Sequence, residues 1–272
     1  MVGWFSGLVA QSKAVENNTA KMSSNNNSSK KRNAPRIWEI DALRGVAVLY
    51  MVLHHLLVDL RDFYGYDIVY YKPPWSSIGM SVAMLFMLVS GVSCSLSSSN
   101  IKRGIKVFLF GLAVTAVTYF YVRELCIVFG ILHFMGSAII IWGAIDRAVA
   151  SSRAKIVLLS VLSPCLIILG VVFNQMKVES PYLFFLGLTT SAFRTYDYYP
   201  LLPWLGVFFI GVLTGSLFYK TKKKSLLSFG PADMPRPIGA AVAGIVAIGS
   251  KSIIIYFIHQ PVLMAALFLI HI

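Results

Sequence analysis

The sequence predicts an all-α fold, a polytopic transmembrane helical bundle of about seven spans. Three observations predict it. The chain is 57% hydrophobic and 13% charged, with a mean hydropathy of +0.72. A soluble domain carries about twice that share of charge. Apolar runs of about 20 residues recur along the chain, the length that crosses a bilayer as a helix. Barrel strands are shorter and alternate, so a barrel is excluded. Finally, Lys and Arg gather in every second connection, the signature of loops on the cytoplasmic side.

Residues 1–10 are apolar but too short to span, and they lack a basic leader, so a signal peptide is not expected. Residues 11–35 are rich in Asn, Ser and Lys, with Lys30, Lys31 and Arg32 clustered. The stretch 1–35 reads as a disordered basic tail, and the membrane domain takes 36–272. Spans are expected near 42–60, 77–97, 104–122, 125–145, 155–174, 200–219 and 251–270. Residues 238–249 are apolar, short and rich in Gly and Ala; a half-helix, a re-entrant segment and part of a longer bent span are all open.

With the N-terminus cytoplasmic, the inner loops hold Lys102, Arg103, Lys106, Arg147, Arg153, Lys155, Lys220, Lys222, Lys223, Lys224 and Arg236. The outer loops mix Arg61, Lys72, Arg123, Lys177 and Arg194 with six acids. This asymmetry accounts for much of the net charge of +13, so nucleic-acid binding is not read from it. A multi-pass protein of the cell membrane follows. Cys94, Cys126 and Cys165 are scattered through apolar runs and form neither a disulfide framework nor a metal pattern.

The first span carries the chemistry. It is apolar yet holds Arg44, His54, His55 and the acids Glu39, Asp41, Asp59 and Asp62. Charged groups in a bilayer cost several kcal/mol each on some scales, so they face a partner or a water-filled cavity. At about 100° per residue, Asp41, Arg44, His55, Asp59 and Asp62 fall on one stripe about 60° wide, with His54 about 100° from His55. Arg44 and His55 lie roughly 16 Å apart along the axis. A carboxylate four residues after an imidazole can orient and charge-support it, so Asp59 is expected to orient His55 as a general base for a hydroxyl or amine.

Other polar groups fall in the same outer half: His133 in the fourth span, Asp197 before the sixth, and Tyr256, His259 and Gln260 in the last. His55, His133 and His259 are expected to converge in one outer cavity. A lone intramembrane histidine also serves simply to bond a neighbouring helix, and the histidine spacings give no support for a metal. Trp75, Trp204 and Tyr199 read as interfacial anchors.

Four motifs carry a resemblance. They are Trp38-Glu39-Ile40-Asp41-Ala42-Leu43-Arg44-Gly45 with His55 and Asp59, Phe129-Gly130-Ile131-Leu132-His133-Phe134-Met135-Gly136, the run from Asp197 to Phe208, and Ile255-Tyr256-Phe257-Ile258-His259-Gln260-Pro261. Together, over residues 36–270, the chain resembles the small prokaryotic members of the heparan-alpha-glucosaminide N-acetyltransferase catalytic-domain family. The resemblance implies a transmembrane acyltransferase that moves an acetyl group from cytoplasmic acetyl-CoA to an amine or hydroxyl of a sugar or glycolipid at the outer face. It implies a CoA entrance near Arg44; the CoA phosphates are then expected to meet Arg44, Arg103 and Lys106, with Asp41 in the same site. His55 and Asp59 are then the catalytic pair, and His133, Asp197, Tyr256, His259 and Gln260 hold the acceptor or the oxyanion. No metal is expected, and oligomerisation is left open. The chain departs from the family in one place. The lumenal enzyme has a catalytic histidine in the loop before its second span, shortly before a tryptophan, whereas Tyr70-Tyr71-Lys72-Pro73-Pro74-Trp75 has none. The base then comes from elsewhere, most directly His55. The alternative reading is a non-catalytic transporter or binding protein with a proton-linked His/Asp site.

Overall fold

The computed structural model describes residues 37–121, 123–219 and 225–271. The tail expected over 1–35 and the Lys222–Lys224 cluster lie outside the described residues. The expected all-α bundle is observed. It comprises α1 (Trp38–Asp62), α2 (Trp75–Ser95), α3 (Asn100–Tyr121), α4 (Ile131–Ala148), α5 (Ser152–Asn174), α6 (Leu201–Thr214), α7 (Arg236–Ser250) and α8 (Ser252–Ile270). A π-helical turn, Gly215–Tyr219, extends α6. Seven of these helices are long and apolar enough to cross a membrane, and α7 is the shorter exception. The chain is a multi-pass membrane protein.

Helices in lipid gain little from burying apolar surface, so they associate by close backbone approach. Glycine makes that approach here. A Cβ on Gly91 would run into the Phe208 carbonyl oxygen of α6, and one on Gly211 into the Leu88 carbonyl oxygen of α2. Gly104 and Gly136 do the same for α3 against α4. The resulting core is formed by Met87, Phe134, Trp142, Leu159, Phe208, Phe209 and Val212, all under 2% exposed. It centres on α2, α4 and α6, while α3 and α5 present Leu109, Val117, Val157 and Ile168 outward.

Two boundaries differ from the sequence expectation. The fourth span begins at Ile131, not near 125, because Arg123–Leu125 form a 3-10 turn and the next residues pair with the approach to α6. Tyr196 N–H donates to the Leu125 carbonyl (3.1 Å), and Tyr199 N–H donates to the Phe129 carbonyl (3.0 Å). Residues 238–249 belong to α7, which breaks at Lys251 and continues as α8. Gly249 stands against Asp41 and Gly45, His259 against His55, Gln260 against Asp59, and His271 against Tyr64. These pairs ascend together, so α7 and α8 run beside α1 in the same direction. Of the three options, a longer bent helix is the one observed.

Candidate active site

At its N-terminal end α1 is tied down by its own charges. Arg44 Nη1 donates to Asp41 Oδ1 (2.5 Å) and to the Gly249 carbonyl (3.5 Å). Its Nη2 donates to Ser93 Oγ (2.7 Å). One guanidinium thus joins α1, α2 and the end of α7, and a cation there also suits the C-terminal dipole of α7. The neighbour of Ser93 is Cys94, whose Sγ accepts from Arg103 Nη2 (2.6 Å). Two guanidiniums therefore flank the end of α2. Lys106 is exposed one turn along α3. Glu39 takes no part; it accepts from Ser225 Oγ (2.8 Å) and Leu226 N–H (2.7 Å).

Further along α1 lies a cavity with about 590 Å³ of empty space, mouth included. Its α1 wall is Ala47, Val48, Tyr50, Met51, His54 and His55. The α2 wall is Gly79, Val82, Ala83 and Phe86, and Ile131, Asp197, Tyr199 and Tyr256 close it. Small apolar walls with a few convergent polar groups at one end describe a binding site.

His55 is the best-placed base in this cavity. Its Nδ1 lies 2.8 Å from the Met51 carbonyl oxygen. A carbonyl can only accept, so Nδ1 carries the hydrogen and Nε2 keeps its lone pair. The local i−4 carbonyl, not Asp59, fixes this tautomer. Asp59 is 1% exposed, and both its oxygens accept from Gln260 Nε2 (2.7 and 2.9 Å). The expected Asp59–His55 hydrogen bond is replaced by a clasp between α1 and α8, and Asp59 acts on His55 only as a nearby charge.

His259 does join His55. Their rings are edge-on with centroids 4.8 Å apart, and His259 Nδ1 lies 2.7 Å from the Tyr256 carbonyl oxygen. His133 does not join them. It is 2% exposed, packed against Gly111 of α3, with Nε2 3.1 Å from Thr115 Oγ1. Thr115 spends its own hydrogen on the Ile127 carbonyl (2.6 Å), so His133 donates. The expected three-histidine convergence is therefore corrected to two, and His133 holds α4 to α3. Gln260 binds Asp59 and does not line the cavity.

Asp197 reaches the cavity from the segment before α6. Its Oδ2 accepts from Ile131 N–H (2.9 Å), the first donor of α4. Gly130 is required beside it, because a Cβ there would collide with the same oxygen. Burial pushes the Asp197 carboxyl above its usual range, opposed by the Ile131 hydrogen bond and by His55. Tyr199 is raised as well, by burial and then by Asp197.

Sequence reasoning passed over Tyr50 and His54. They sit one turn apart on α1, off the polar stripe, and both line the cavity. His54 stacks on Tyr50 (6.1 Å) and meets Tyr70 edge-on (5.8 Å). The i, i+4 spacing of two polar aromatic residues in a lipid-crossing helix was the available signal.

Seven lipid-crossing helices, with an imidazole in a cavity along the first of them, define a class, the multi-pass membrane proteins with a polar site between their helices. The chain belongs to the heparan-alpha-glucosaminide N-acetyltransferase catalytic family, whose model matches residues 36–261. Membership puts it among membrane acetyltransferases. No curated protein and no solved structure matches it. Among the described residues no cluster of His, Cys, Asp and Glu has the arrangement of a metal site.

Proposed function

We propose that the protein transfers an acetyl group from acetyl-CoA, entering at the Arg44 end, to an amine or hydroxyl of a sugar-type acceptor bound at the His55 end. The observation that carries this reading is the state of His55: Nδ1 hydrogen-bonded to the Met51 carbonyl, Nε2 left as a lone pair, in a cavity roughly 16 Å along α1 from Arg44. The basic asymmetry of the sequence supports a cytoplasmic Arg44 end, on the side of the cell membrane where CoA is.

Arg103 and Lys106 meet the CoA phosphates; Arg44, already joined to Asp41, shapes the entrance. The pantetheine arm follows Ala47, Val48 and Met51 toward His55. The acceptor lies among Asp197, Tyr199, Tyr256 and His54. His55 Nε2 removes its proton as it attacks the thioester carbonyl, and the same proton leaves with the CoA sulfur. General-base catalysis is worth about 10²- to 10⁴-fold.

The test is purified protein in detergent with radiolabelled acetyl-CoA and a panel of amino sugars and glycolipids. His55→Ala should lower transfer by at least about 10²-fold while acetyl-CoA binding persists. Arg103→Ala with Lys106→Ala should weaken acetyl-CoA binding. Full transfer by His55→Ala would overturn the assignment of the base. No binding of acetyl-CoA by folded protein would overturn the acetyltransferase reading in favour of transport.

A further inference from the structure

His259 Nε2 is buried and has no hydrogen-bond partner among the described residues. His259 as a whole is 8% exposed. A buried polar atom left unpaired costs about 1–3 kcal/mol, so one in a well-packed helix calls for a reason. The identity of the atom narrows the reason. His259 Nδ1 donates to the Tyr256 carbonyl (2.7 Å), so Nε2 of the neutral ring is an acceptor without a donor.

The nearest ring is His55, edge-on at 4.8 Å between centroids. Rings this close can bring facing nitrogens to hydrogen-bond distance. In the neutral state His55 has no second hydrogen to offer, because Nδ1–H is committed to Met51. Once His55 Nε2 takes a proton, it becomes a donor, and the orphaned lone pair of His259 gains its partner. A protonated His55 is thus a neighbouring donor of the kind that this lone pair lacks.

We propose that His259 is a positioning residue that holds the transferred proton on His55 through an N–H···N bond between the two Nε2 atoms. The proposal rests on the acetyl-transfer reading for its chemistry. The acceptor X–H bond breaks and its proton goes to His55 Nε2. The X lone pair forms the bond to the acetyl carbon, and the C–S bond breaks. His259 shares the proton while the tetrahedral adduct exists, and His55 then releases it to the departing sulfur. No other reactant is consumed. An acceptor aimed at charge that appears only during reaction lowers the barrier without stabilising the ground state.

Among the described residues, Asp59 and His54 from α1 and Asp197 from the segment before α6 interact electrostatically with His55, Tyr199 lines the same cavity, and Tyr256 of α8 meets His259. The cavity residues of α2 and α4 are not titratable. Asp59 is fully engaged by Gln260, and Asp197 by the end of α4, so neither provides the missing partner of His259.

Two readouts test the proposal. In protein labelled with ¹⁵N-histidine and held in nanodiscs, a titration from about pH 8 to about pH 5 covers imidazole protonation. The pair should take up one proton, with the His55 and His259 nitrogens shifting together and showing a coupling across the shared bond. His259→Leu should abolish that coupling. Independent movement of the two rings in the wild type would overturn the proposal. This arm needs no acceptor, so it decides the histidine pair even where acetyl transfer is absent and the functional reading has failed.

The second arm uses acetyl-CoA with glucosamine, and with water as acceptor. His259→Leu should lower the rate about 10²-fold with little change in the acetyl-CoA KM. His259→Gln keeps an acceptor oxygen and should recover to within about tenfold of wild type. Equal rates for the Leu and Gln variants, both folded, would overturn the proposal.

Discussion

The clasp between Asp59 and Gln260 permits a bounded prediction. Gln260→Leu removes the donor that serves both carboxylate oxygens of a side chain 1% exposed. Leaving one member of a buried pair uncompensated costs about 3–5 kcal/mol. There is also a ceiling. The variant can escape by protonating Asp59, and an ordinary aspartate near 3.9 takes a proton at about pH 7 for roughly 4 kcal/mol, about 1.36 kcal/mol for each pH unit. At about pH 5 the same escape costs only about 1.5 kcal/mol. The folded variant then holds a proton that the unfolded chain has released, so its stability falls as pH rises above the unfolded carboxyl value. The expected deficit therefore grows from at most about 1.5 kcal/mol at about pH 5 to between about 3 and 4 kcal/mol at about pH 7. Asp59→Leu combined with Gln260→Leu replaces both partners by apolar groups, and should lie within about 1 kcal/mol of the wild type. Denaturant titration of the detergent-solubilised proteins at the two pH values measures all four quantities. A Gln260→Leu deficit that is independent of pH, or a double variant as unstable as the single one, would refute the reasoning.

Three further outcomes are expected. Gly249→Val places a Cβ against the Asp41 carbonyl oxygen and 2.7 Å from Gly45 N, both backbone, so α7 must move off α1 at a cost of about 1–3 kcal/mol, read as a lower Tm. Asp197→Asn keeps the Ile131 bond but removes an acid whose ionisation burial opposes. A raised folded value means the wild type has this contribution in full below the unfolded value and loses it as pH rises through the folded one, so the Tm-against-pH curve of the variant should be flatter on the neutral side, and superimposable curves would contradict it. Thr115→Val leaves His133 and the Ile127 carbonyl without partners, and should cost about 1–3 kcal/mol in unfolding experiments while the acetyl-transfer rate of the folded protein is unchanged, because neither residue lines the cavity.

The bundle was legible because bilayer thickness dictates helix length, and the polar stripe of α1 because one helix fixes its own geometry. Arg44, His55 and Asp59 could be placed on that stripe before any neighbour was known. Their partners could not. Asp59 meets Gln260, which is 201 residues away, and Arg44 meets Gly249, which is 205 away. A wheel drawn for α1 offers Asp59 to His55, but a carboxylate takes the better donor, and the α8 amide reaches both oxygens. His133 fails in the opposite sense. The topology suggests a depth for it, yet depth does not say which way a ring faces, and Gly111 opens a place for it on α3. Asp197 was legible as a polar residue just before the sixth span. Its second task, closing the first turn of α4, depends on the pairing of 125–129 with 195–199.

The long bent helix explains how two distant ends form one site. Both sets of groups sit on α1, so their spacing is set by helix rise, roughly 16 Å over the eleven residues from Arg44 to His55. The α7–α8 pair then follows α1 at three levels: Gly249 under Arg44, His259 at His55, and Gln260 at Asp59. A helix that broke at Lys251 without these contacts would be free to slide. With them, displacing α8 by one turn would separate the histidines, unpair Asp59 and carry the Gly249 carbonyl away from Arg44 together. Conserving the register of α8 is therefore equivalent to conserving the site. On this argument Gln260→Leu should lower acetyl transfer as well as stability, and should do so most at the pH where its stability deficit is largest. A variant that loses stability with pH but keeps a constant turnover per folded molecule would show that the clasp holds the helix without holding the histidines.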